Sequence, residues 1–135
     1  MERARSFDKK IGCLHEVFGF IDEFLAGEGL GEGIGLTINL VAEELFTNMV
    51  RHNSGSAHPI EVSLTRVDDE VRLSLVDTDV EPFDPADAAP VDVHAPIEER
   101  RPGGLGLHLV RSMVDSVTYR YDNREMTVLV RKKVG

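Results

Sequence analysis

The amino-acid sequence predicts a largely antiparallel β-sheet with helices packed on one face. Three observations point there: apolar residues repeat at helical spacing through residues 11–49, the period then drops to two, and the strands arrive in hairpin pairs. From Ile11 to Leu25 the apolar residues fall at Ile11, Leu14, Phe18, Ile21 and Leu25, steps of three and four that stripe one side of a helix. Gly27, Gly29 and Gly31 stop it. A second stripe, Ile34, Ile38, Val41, Leu45 and Met49, predicts a helix that runs until Asn53-Ser54-Gly55-Ser56 breaks it. Ile60, Val62 and Leu64 then alternate with Glu61, Ser63 and Thr65, and after Asp68-Asp69 the alternation resumes in Val71, Leu73 and Leu75, as in a β-hairpin. Between Asp77 and Pro102 lie five of the six prolines, many acidic residues and no period. That stretch reads as a long loop or lid with a helical turn near Pro85 to Ala88. Gly103-Gly104-Leu105-Gly106 opens a third helix, with Leu105, Leu109, Val110, Met113 and Val114 on its apolar face. Val117 to Tyr121 and Met126 to Val130 return to strand, turning through Asp122-Asn123. Nothing before Ile11 is assigned an element, and no internal repeat is present. Strands in hairpin pairs exclude a doubly wound parallel fold.

A chain of 135 residues fits one compact domain, residues 1–135. Apolar residues at 41% with charged residues at 29% exclude disorder, collagen and coiled coil. With 15 basic against 24 acidic residues, the formal charge is -9, a field that repels phosphate backbones and anionic lipid. Neither nucleic acid nor membrane is therefore an expected partner. No apolar stretch approaches the ~20 residues that span a bilayer, and MERARSFDKK lacks the apolar segment of a signal peptide, so a cytoplasmic location is expected. The single Cys13 has no second thiol for a disulfide or a zinc site and is expected to be a small buried hydrophobe.

Three segments carry candidate chemistry. In the second helix Glu44, Asn48 and His52 recur every four residues, which puts successive members ~40° apart in azimuth and ~6 Å apart along the axis. They form one polar ridge beside the apolar stripe. A carboxylate and a carboxamide one turn apart suit a general base beside an oxygen ligand for Mg2+, although a solvated helix face carries the same pattern. Asp77 ends the second strand of the hairpin. A carboxylate in a half-buried pocket there can accept a hydrogen bond from an exocyclic amine such as that of adenine; it is equally a turn-forming residue. In Gly103-Gly104-Leu105-Gly106-Leu107, backbone N–H groups without flanking side chains can approach a ligand, and the helix that follows offers its positive end to phosphate oxygens. No Lys-Ser or Lys-Thr follows, so this is not a P-loop, and no strand immediately precedes it, as a dinucleotide-binding turn would need.

Taken together and in this order, the three segments resemble the nucleotide-binding domains of the GHKL superfamily, and more narrowly the anti-sigma-factor serine/threonine kinases of bacterial partner switching. The likeness runs from the first helix to the last strand. Glu44-Leu-Phe-Thr-Asn48-Met-Val-Arg-His52 is similar to the family's N box, in which the Glu is the proposed base, the Asn binds Mg2+ and the position of His52 lies close to the phosphates. The segment from Asp77 through Asp79 to Phe83-Asp84-Pro85 resembles the box whose leading Asp reads the adenine amine. The glycine segment Gly103 to Leu107 resembles the box at the base of the ATP lid, here about residues 85–104. The resemblance implies a two-layer α/β (α+β) sandwich, its sheet mixed but mostly antiparallel, with ATP held between helices and sheet.

One position departs from the pattern: Asp79 stands where the family has Gly. Gly there permits positive φ and close approach to the nucleotide, whereas Asp adds bulk and negative charge. The function implied is phosphoryl transfer from Mg-ATP to a Ser or Thr hydroxyl of an anti-anti-sigma (STAS-type) protein. Glu44 would take the hydroxyl proton, Asn48 would help hold Mg2+, and Arg100 and Arg101 would assist from the lid or simply be solvated. A sigma factor and a second copy of the chain are further possible partners. The alternative is a non-catalytic module that sequesters a partner around a degenerate nucleotide site. A sensor histidine kinase domain resembles the chain less, because it usually carries Asn where Glu44 stands and needs a dimerising helical pair.

Overall fold

The computed structural model describes residues 2–52, 58–78 and 110–134, the side chains of Glu32 and His52 excepted. The chain opens with strand β1 (Glu2–Phe7), passes through a 3-10 turn (Ile11–Cys13), and forms helices α1 (Leu14–Gly27) and α2 (Glu32–His52). Strands β2 (Ile60–Val67) and β3 (Glu70–Thr78) follow, and β4 (Ser116–Asp122) and β5 (Glu125–Lys133) close the chain. The five strands make one sheet in the order β1-β2-β3-β5-β4. Every pairing is antiparallel, where the sequence reading allowed a mixed sheet.

Both helices lie over the sheet, α1 against β1 and β2, α2 against β3, and they pack on each other. The stripe of α2 and the strand alternation meet in one apolar core; on α1 the buried face is shifted from expectation, with Ile11 exposed and Val17 and Phe24 buried beside Ile21 and Leu25. The core holds Val17, Ile21 and Phe24 of α1, Ile38, Val41, Leu45 and Phe46 of α2, and Val62, Leu73, Leu75 and Val128 of the sheet. Glycine ends α1 in a specific way: Gly29 sits at φ 68°, its N–H donates to the Ala26 carbonyl at 3.1 Å, and the Leu30 N–H donates to the Leu25 carbonyl at 3.0 Å. This is the Schellman closure, which satisfies carbonyls the helix leaves open. Arg66 of β2 adds a donor to the same end, its Nη1 reaching the Glu28 carbonyl at 3.1 Å.

Strand β1 is the element the sequence reading missed. Its residues Glu2 to Ser6 are all exposed and only Phe7 is buried, so no alternation betrays it. It forms by its ladder with β2, from Glu2 opposite Thr65 to Phe7 opposite Ile60. The last turn is displaced by one residue from expectation: Asn123 and Arg124 make it, both at positive φ (51° and 61°), between Asp122 and Glu125. Such left-handed pairs match the twist of a two-residue hairpin. Cys13 is only partly buried, packed against the core edge. Among the described residues no helix is long and apolar enough to cross a membrane.

Candidate functional site

The parity of β3 decides where Asp77 points. Val71, Leu73 and Leu75 face the core, and two residues further on the same face belongs to Asp77, which is completely buried. Its cross-strand neighbours are Ile60 and Met126, and Ile60 is paired in turn with Phe7, so one row of the sheet runs Phe7, Ile60, Asp77, Met126. A carboxylate among such neighbours is costly unless a counter-charge reaches it. Lys9 supplies one. Leaving β1 two residues after Phe7, it places its ammonium 2.5 Å from Asp77 Oδ1, with only 3% of the Lys9 side chain exposed. Nothing in the sequence reading singled out Lys9, because without β1 there was no reason to place it beside the end of β3.

Helix α2 carries the second group. Asn48 is buried on the core side, flanked by the buried Leu45 and Met49, while Glu44 one turn earlier is half-buried at the edge of that face. The Asn48 amide donates Nδ2–H to Glu44 Oε1 over a long 3.4 Å, an orientation that turns its carbonyl oxygen away from the carboxylate. Burial pushes the Glu44 carboxyl above the ordinary Glu range; the charge of Arg51 and the Asn48 hydrogen bond pull it back, and neighbouring Glu43 pushes it up again. A half-buried carboxylate raised in this way is a stronger proton acceptor once ionised.

The structure thus joins Glu44 to Asn48 and sets Asp77 on the core face of the strand that α2 packs against. His52 is the last residue of α2, and its side chain lies outside the described residues. Asp79, Phe83, Arg101, Gly103, Gly104, Leu105, Gly106 and Leu107 lie outside them as well, as does the lid at about 85–104. Of the third helix the described part is 110–113, with Val110 buried in the core.

No group of three His, Cys, Asp or Glu able to enclose a metal occurs among the described residues. The donor set on α2 suits instead a hard cation that keeps water and ligand oxygens and takes one protein oxygen, as Mg2+ does beside phosphates. For a purine nucleotide the fit rests on Asp77, a buried acceptor at a strand end beside the helix that carries Asn48.

Residues 8–132 match the histidine kinase-like ATPase domain. The chain belongs to that family. Within the histidine kinase-like ATPase family it is similar to proteins named as kinases. The serine/threonine-protein kinase BtrW of Bordetella bronchiseptica is 30% identical over 86 residues, 62% of this chain and 60% of BtrW. The serine-protein kinase RsbW of Bacillus cereus is 26% identical over 143 aligned positions, 99% of this chain and 88% of RsbW. Among solved structures, the RsbU and RsbW domains of Rv1364c from Mycobacterium tuberculosis align with a TM-score of 0.73 at 17% identity, over 99% of this chain and 32% of that one. A structure of the SiaB–SiaC complex from Pseudomonas aeruginosa aligns at 0.63 and 15% identity, over 96% and 88% of the two chains. These structures share the two-layer fold.

Proposed function

We propose that the chain is an ATP-dependent serine/threonine protein kinase of the anti-sigma type, which transfers phosphate to an anti-anti-sigma (STAS-type) protein and so regulates transcription by partner switching. The single observation that carries this reading is Glu44, a carboxyl raised by burial and hydrogen-bonded to the Asn48 amide on the helix that packs against the strand of Asp77. The names of the similar proteins BtrW and RsbW support it. So does the SiaB–SiaC structure, in which the fold occurs in a two-protein complex.

In this reading Asp77 accepts a hydrogen bond from the adenine amine, Asn48 offers its carbonyl oxygen to Mg2+, and Glu44 takes the proton of the acceptor hydroxyl. Mg2+, when bound, offsets phosphate charge that a chain of net charge -9 would otherwise repel. His52, Phe83, Arg101 and the glycines Gly103, Gly104 and Gly106, with Leu105 and Leu107, complete the nucleotide site by the family pattern. A sigma factor, and a second copy of the chain, are further partners in the same scheme, and the cytoplasm is where such partners meet.

The test is incubation with labelled Mg-ATP and a STAS-type protein. Transfer of label to a Ser or Thr of that protein is expected, with a loss of at least about 100-fold in rate for Glu44→Ala, as for removal of a general base. Transfer that proceeds unchanged in Glu44→Ala would remove Glu44 from the reaction. One feature favours a second reading: Asp79, in place of the glycine that lets backbone approach a nucleotide, suits a module that binds its partner without turnover. Partner binding retained in Glu44→Ala, with no transfer by either protein, would select that reading.

A further inference from the structure

Lys9 lies outside the three candidate segments, yet its side chain is 97% withdrawn from solvent and its ammonium lies 2.5 Å from the carboxylate of Asp77. We infer that Lys9 determines the base selectivity of the nucleotide site, by keeping Asp77 ionised and hence a pure hydrogen-bond acceptor. The inference rests on the reading that Asp77 meets the base of ATP.

The physical basis is the protonation state of a buried acid. Asp77 has no exposed surface, and its paired neighbours across the sheet are Ile60 and Met126. In such surroundings a carboxyl holds its proton unless a cation stabilises the charged form. The ionised form can only accept, whereas the protonated form also donates. Adenine presents an amine at its 6-position, a donor that suits the ionised acid. Hypoxanthine presents a carbonyl there, which the ionised acid repels and the protonated acid can bind. Selection between the two bases therefore passes through Lys9, which touches Asp77 and acts on the base only through it. The sheet makes this possible: Phe7 shares a cross-strand row with Asp77, and Lys9 follows Phe7 by two residues, which brings it from the edge of the sheet to the acid at its centre.

The experiment is calorimetric titration of the full chain with Mg-ATP and with Mg-inosine triphosphate, for the wild type and for Lys9→Met. The wild type is expected to prefer ATP by about 10- to 100-fold, the range for leaving one polar group unsatisfied. Lys9→Met, shown to be folded by circular dichroism, is expected to bring the two affinities within about threefold. A merely structural lysine would lower stability and leave the ratio alone, so a preserved preference in folded Lys9→Met overturns the inference. A wild type that binds neither nucleotide overturns the nucleotide-site reading itself, a different result. If Lys9→Met does not fold, infrared spectra of wild type carrying 13C in its Asp carboxyls replace it. They are expected to lack an isotope-shifted protonated-carboxyl band at pH 7, and its presence overturns the inference.

Discussion

Among the described residues, Asp77 and Asn48 are the polar residues buried with the core, and each sits where a hydrophobic residue would continue the local pattern. For Asp77 the pattern is Val71, Leu73, Leu75; for Asn48 it is the α2 face of Leu45 and Met49. The four-residue step that ties Glu44 to Asn48 was legible; for Asp77 the sequence left a pocket acceptor and a turn residue equally open, and the burial parity of β3 turns it inward. The ion pair with Lys9 was not legible, because it depends on a strand with no apolar signature. Removing the acid should be costly. Asp77→Ala takes the carboxylate from beside a buried ammonium, and an expected loss of about 3–5 kcal/mol is measured by urea unfolding. Glu44 gives a prediction with a sign. Its carboxyl is raised in the folded chain, chiefly by burial, so folding favours the neutral form. That contribution is full below the unfolded pKa and is lost as pH rises through the folded one. Glu44→Gln is free of the loss, so its stability relative to wild type should improve from pH 4 to pH 8 in the same unfolding assay. A constant difference would show that burial does not govern this carboxyl.

Among the elements, α2 was legible by its steps of three and four and β2 and β3 by alternation, whereas in α1 the helix was legible but its buried face was not: Ile11 is exposed, and Val17 and Phe24 join Ile21 and Leu25 in the core. The boundaries came from turn chemistry, and the left-handed Gly29 shows why. With no atom within 4 Å of a Cβ built there, the demand for glycine is purely conformational. Gly29→Ala is therefore expected to cost about 1 kcal/mol through the backbone alone, seen as a lowered midpoint in a thermal melt. A substitution without effect would mean that the end of α1 adjusts freely. The hairpin between β4 and β5 was misplaced by one residue because Arg124 is an unusual occupant of a left-handed position, and residue preference pointed to Asp122-Asn123 instead.

At the scale of the molecule, one sheet collects residues that the chain keeps far apart. Hairpin pairing predicted two strand pairs; that β3 and β5 join them side by side, with both helices on one face, fixes the place of α2 over the strand of Asp77. Family resemblance gave that architecture before the geometry did, while the strand order itself depends on contacts that no local pattern encodes. The sheet also has a weak flank. Among the described residues, the polar strand β1 alone stands between β2 and water along one side. A chain shortened by its first ten residues would lose Lys9 and strip that flank bare. Its open row of N–H and C=O groups is a template on which another copy can lay its own strand. Light scattering should then detect clumping in the shortened form at concentrations where the intact chain remains clear, so the opening residues act as a seal against self-adhesion.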